Sequence, residues 1–83
     1  MKHQVLSVYD SKAKAFAQPF FTANREIALR AFAAAVNDRE LLVGKFPQDY
    51  TLYLLGEFDD ELGGINMLPQ PENLGLAANF KTE

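Results

Sequence analysis

The 83-residue chain has no cysteine and a single histidine. Lacking cysteine, it can have neither a disulfide framework nor a thiolate metal site. With His3 as the only imidazole, a Ser-His pair would have to use Ser7 or Ser11. Ser7 falls four positions along the same expected strand, too far away for direct proton transfer. The glycines form neither a P-loop nor a GxGxxG fingerprint. The chain therefore reads as non-enzymatic, with no catalytic residue and no cofactor. No apolar run approaches the ~18 residues of a membrane span, and Met1-Lys2 leads straight into His3-Gln4 without a secretory hydrophobic region. A cytoplasmic protein without membrane association is the expectation. Internal repeats and low-complexity segments are absent.

Hydrophobic residues make up 48% of the chain and charged residues 23%. This fits one globular domain over residues 1-83, and the apolar content is too high for disorder. At this length the radius of gyration should be about 12 Å. The net charge of -3 and pI near 5.0 are the opposite of a dedicated duplex-DNA binder. The total hides an asymmetry. Residues 1-45 hold seven basic against four acidic groups, whereas residues 46-83 hold Lys81 against seven carboxylates. A chain so polarised can present a basic face, or dock head to tail with a second copy.

Gln4 to Tyr9 is β-branched and aromatic and stops at the turn signal Asp10-Ser11, which predicts a strand over about residues 3-9. Val5 and Tyr9 point to one face, Leu6 and Val8 to the other, so the strand should be covered on both sides. Residues 11-21 lack a sustained period. Pro19 biases Gln18 away from helix, and the segment reads as an ordered connection with a basic tip, pinned to the core by Phe16, Phe20 and Phe21. Thr22 or Asn24 can cap a helix at about 24-37, with Glu26 suited to its N-terminal dipole. Ile27, Leu29, Phe32, Ala33 and Val36 lie at near-helical spacing, and the many alanines make this helix narrow. Two apolar runs around an acidic turn then predict a hairpin, with strands at about 50-58 and 64-68 and Gly56 marking a bulge. From Pro69 the tail fits a strand or, through Pro71 and the alanines, a short helix; the balance leans to helix.

Glu57, Asp59, Asp60 and Glu61 do not match an EF-hand loop, and a solvated turn accounts for them, so no metal site is expected. Tyr9, Lys12, Lys14, Phe16, Phe20, Phe21 and Arg25 combine cations for phosphates with rings on which bases stack. Solvated lysines over buried rings are the plainer account of the same residues.

Several separated motifs carry a resemblance. These are the opening Met1 to Ala13, Gln18-Pro19-Phe20-Phe21, Ala31-Phe32 with Val36-Asn37-Asp38, Phe46 to Leu52, and Leu55 to Asp60. In this order they resemble the small nonstructural proteins of gokushovirus-type microviruses, phages with single-stranded DNA genomes, over nearly the whole length. The resemblance implies a nonstructural or DNA-binding accessory protein in the host bacterial cytoplasm, by analogy with a small microvirus protein that steers the switch from replication to packaging. It brings no defined active site.

The expected fold is α+β: a three-stranded, mainly antiparallel sheet, one main helix packed on a face, and a short C-terminal helix or strand. A parallel pairing of the first two strands would require a right-handed crossover. The uncovered face should keep Tyr53 and Leu55, predicting a homodimer or another partner there. The expected function is binding of single-stranded DNA through Lys12, Lys14, Arg25 and Lys45, aided by Tyr9 and Phe20. The alternative is a protein-interaction module that contacts a phage or host replication protein through the acidic hairpin at Glu57 to Glu61.

Overall fold

The computed structural model describes residues 1-82. Strand β1 (Lys2–Asp10) is followed by two short strands, β2 (Ala15–Phe16) and β3 (Phe20–Thr22). Next come helix α1 (Arg25–Val36) and the single turn α2 (Leu42–Lys45). The long strands β4 (Tyr50–Asp59) and β5 (Gly64–Leu76) form a hairpin, and 3-10 turns occupy Pro47–Asp49 and Ala77–Phe80. All pairings are antiparallel, in the order β2-β1-β4-β5, with β3 also paired to β1. The α+β class is as expected, but among the described residues the sheet has five strands instead of three and no parallel crossover.

β1 is interior because its apolar residues serve both faces. Leu6 is fully buried and Val5 is 3% exposed. The segment expected to be a mere connection runs back along β1 as β2 and β3, broken by Pro19, which has no N–H to give to a ladder. Tyr9 pairs with Phe16 but Leu6 pairs with Phe20, so one extra residue is accommodated between the two pieces.

The tail differs most from expectation. β5 continues through both prolines to Leu76, and the helical part of the tail is the 3-10 turn Ala77–Phe80. Prolines are tolerated here because β5 is an edge strand and because they lie where it leaves the ladder. Leu54 pairs with Glu72 and Gly56 with Met67, which leaves Leu55 opposite residues 68-71. Gly56 does mark a bulge, since Val5 pairs with Gly56 and Leu6 with Leu54. β5 passes so closely that a Cβ at Gly56 would fall on the carbonyl oxygen of Asn66.

Helix α1 lies on one face of the sheet. Asn24 caps it, its side chain accepting from the Ile27 N–H at 2.9 Å. The buried stripe is Ala28, Phe32 and Val36, a strict i, i+4, i+8 repeat, while Ile27 is 47% exposed. Spacing alone puts Ile27 on the apolar stripe; packing instead turns the small Ala28 inward, where it lets the helix approach Leu6, Leu52 and Leu54. Ala77 completes this core, and Phe80 packs edge-on against Phe32 at 5.1 Å. Asn37, just past the helix, donates to the carbonyls of Ala33 and Phe80 and accepts from the Thr82 N–H, tying the C-terminal turn to α1. No helix among the described residues is long and apolar enough to cross a membrane.

Candidate nucleic-acid interface

The sheet face opposite α1 is built by strand alternation. On β1, Leu6 and Val8 point to the helix, so His3, Val5, Ser7 and Tyr9 point away from it. Register brings Phe16 beside Tyr9, Tyr53 beside Ser7, Phe21 beside Val5 and Phe58 beside His3. The rings gather into two groups. Tyr9 and Phe16 lie 4.9 Å apart, with Tyr53 edge-on to Phe16 at 5.5 Å and to Tyr9 at 6.4 Å. Phe21 meets Phe58 at 5.7 Å, and His3 lies 6.1 Å from Phe58. Phe16 is 45% and Phe21 50% exposed, so the clusters stabilise their own geometry yet still offer ring surface to solvent. A shallow recess of about 390 Å³ opens between Tyr9, Phe16, Tyr53, Gln70 and Pro71. Between the clusters Ser7 is buried, its hydroxyl donating to the Ala17 carbonyl at 2.7 Å.

Charge is segregated along β1. Its C-terminal end opens into a tight turn in which Asp10 Oδ1 accepts from the N–H groups of Lys12 and Ala13, and the Lys14 N–H donates to the Asp10 carbonyl. Lys12 and Lys14 stand exposed on this turn, which joins β1 to β2. Lys14 has φ of 57°, the left-handed region that a lysine enters at a cost of about 1-2 kcal/mol. At the other end, about 27 Å away along a nine-residue strand, lies the acidic turn. There the Met1 ammonium donates to Asp60 at 2.8 Å and to Glu61 at 3.3 Å, and His3 Nε2 lies 2.9 Å from Asp60. The ammonium, with His3 second, holds the Asp60 carboxyl below its usual range; in return Asp60 holds the terminal amine above its own. Among the described residues no three His, Asp or Glu side chains converge as a metal would require.

Of the residues singled out from sequence, Tyr9, Lys12 and Lys14 lie at one end of β1, Tyr9 on the strand and the lysines on the turn that follows it. Lys45 ends α2, which faces the same turn across an apolar cavity of about 500 Å³ lined by Ala13, Leu42, Val43 and Tyr50 among others. Among the described residues no ion pair holds Lys12, Lys14 or Lys45. Arg25 stands apart, paired with Glu72 of β5 at 3.1 Å. Phe20 is also separate, half-buried on the helix side against the core. Of the three phenylalanines expected to pin the loop, only Phe20 does so. Tyr53 occupies the helix-free face, as expected, whereas Leu55 falls in the bulge. Phe58 was not anticipated as a ring of this face; its pairing with His3 is the signal that identifies it.

A family model described as Phage ORF5 protein matches residues 3–80. No curated protein and no solved structure matches the chain.

Proposed function

From the chain's membership of the phage ORF5 protein family, we propose that it is a non-enzymatic accessory protein of a gokushovirus-type phage. In this reading it binds single-stranded DNA in the host cytoplasm during genome replication or packaging. The observation that carries the proposal is the ring cluster of Tyr9, Phe16 and Tyr53 on a helix-free sheet face, with Phe16 exposed and the turn bearing the exposed Lys12 and Lys14 joining Tyr9's strand to Phe16's. Unpaired bases offer π-faces that stack on such rings for about 1-3 kcal/mol each, and two lysines meet the flanking phosphates. A duplex keeps its bases stacked inside and would have to rely on charge, which a net charge of -3 does not favour. The strained conformation of Lys14 supports the same site, because left-handed positions suit glycine or asparagine and a lysine there costs stability for some other return. Lys45, on α2 across the cavity on the helix side of the turn, lies apart from the ring face. Arg25 and Phe20, committed to Glu72 and to the core, contribute through the fold.

The test is fluorescence anisotropy of a labelled oligothymidine at rising salt. The expected result is weak binding at low salt, with log affinity falling against log salt at a slope of about -0.7 per phosphate engaged. Tyr53→Ala and Tyr9→Ala should each weaken binding by about 1-3 kcal/mol. No binding at low salt, or binding indifferent to both changes, refutes the assignment. The competing reading, contact with a phage or host replication protein through Glu57 to Glu61, draws on Leu62, 84% exposed in that turn. Charge reversal at Asp59 and Asp60 would abolish such contact and leave DNA affinity unreduced.

A further inference from the structure

Beyond the nucleic-acid reading, and independent of it, we infer that a second copy of this chain pairs antiparallel along the outer edge of β5, over Gly64 to Leu68. β5 is the terminal strand of the sheet order, so one side of it carries unpaired backbone donors and acceptors. Natural edges are guarded by lysine, proline, bulges or inward charge. β5 has such guards only in its second half, with Pro69, Pro71, the excursion at 68-71 and Glu72. The first half, Gly-Ile-Asn-Met-Leu, has no charge and no proline. Ile65 is 51% and Met67 61% exposed beside it.

This half of the hairpin also extends beyond the core. Between Leu54 and Ala77 no residue belongs to the buried apolar cluster. The molecule is 41 Å long against 24 and 18 Å across, and its radius of gyration of 12.9 Å exceeds the expected ~12 Å. A projecting ribbon with bare apolar side chains gains from a neighbour that covers them.

Symmetry selects the occupant, and charge its direction. About a two-fold axis at Asn66, the exposed Ile65 of each copy lies beside the exposed Met67 of the other, so the same apolar side chains cover one another, whereas a parallel arrangement would set the two acidic turns side by side. The uncharged pentapeptide lies against itself without repulsion. The axis stands perpendicular to the sheet, so both helix-free faces end on the same side, and the ring-bearing surface runs on from one copy to the next through Phe58, Ile65 and Met67.

Sedimentation analysis of the full chain tests this. Wild type should show a concentration-dependent dimer. The double change Ile65→Lys and Met67→Lys, which sets four like charges about the axis, should raise the dissociation constant at least about tenfold. Leu42→Lys, on exposed α2, should leave it unchanged. Because the chain has no cysteine of its own, Asn66→Cys gives a second readout that needs no loss of function: oxidation should yield a disulfide-linked dimer through the axis. A wild-type monomer at all accessible concentrations would overturn the proposal and leave the edge to an extended peptide of another protein. A dimer broken by Leu42→Lys but not by the double change, or one that Asn66→Cys does not cross-link, would place the interface elsewhere.

Discussion

Replacing Gly56 by alanine should destabilise the domain by roughly 2-4 kcal/mol, whereas the same replacement at Gly64, eight residues on, should be neutral or stabilising by up to about 1 kcal/mol. At Gly56 the added carbon would overlap the Asn66 carbonyl oxygen and lie 2.9 Å from Met67 Cα and 3.0 Å from the Asn66 carbonyl carbon. All three atoms belong to the backbone of β5, so no rotamer change relieves the overlap and the strand itself must shift. Overpacking of that kind costs about 1-3 kcal/mol, and a displaced strand forfeits at least one ladder hydrogen bond of about 1 kcal/mol. An 83-residue domain is stable by about 4-12 kcal/mol in all, so the loss is a large share. At Gly64 nothing lies within 4 Å of the added carbon, and the effect there is the reduced freedom of the unfolded chain. Urea unfolding followed by far-UV circular dichroism reads the difference as a lower midpoint for Gly56→Ala at unchanged slope, with a melting temperature lower by about 4-8 °C per kcal/mol. Equal midpoints for the two variants would refute the close strand approach from which the sign was worked.

Lys14→Gly separates stability from binding: it should raise stability by about 1 kcal/mol by relieving the left-handed strain, yet weaken oligonucleotide binding and flatten its salt slope by about 0.7. A variant that is more stable and binds as well as wild type would remove Lys14 from the interface. Tyr50 supplies a pH prediction. Burial, with Asp10 and Asp49 adding to it, raises its hydroxyl above the ordinary value near 10. The folded form keeps the proton after the unfolded chain has released it, so stability is intact below pH 10 and declines as pH rises toward the folded value. Stability curves of wild type and Tyr50→Phe should therefore run parallel below that pH and diverge above it; curves parallel through the alkaline range would contradict the shift.

The elements legible in the sequence were those whose pattern is local. The strand ending at Asp10, the helix capped by Asn24 and the acidic turn closed by Gly63 each combine an apolar period with a residue that terminates it, and all three stand within a residue or two of expectation. What misled was proline. From sequence, Pro19 marks a connection by biasing Gln18 away from helix, the second hairpin strand stops before Pro69, and Pro71 opens a short helix. In the sheet they lie where the ladder is already interrupted, so strand resumes on the far side of each interruption. Nothing local distinguishes a proline that ends a strand from one lodged in a bulge. The distinction depends on what β1 and β4 present alongside.

The same interruptions explain why the candidate site was only half legible. Phe16 and Phe21 are five apart, as are Tyr53 and Phe58, and an odd spacing sends side chains to opposite faces of an unbroken strand. Each pair nonetheless shares one face, because the chain holds one extra residue between Phe16 and Phe21, near Pro19, and another between Tyr53 and Phe58, at Leu55. Both slips are measured against β1, where Tyr9 and Val5, or Ser7 and His3, stay an even four apart. Gly56 marks the second slip and Pro19 lies at the first, but alternation within a segment does not show which residue of a common strand each ring faces. Deleting Leu55 would close the bulge and leave Tyr53 and Phe58 an even four apart, in step with Ser7 and His3 of β1, so both rings keep the helix-free face. Its effect on oligonucleotide binding should therefore be smaller than that of removing either ring alone, and a larger loss would refute the register that places the rings together.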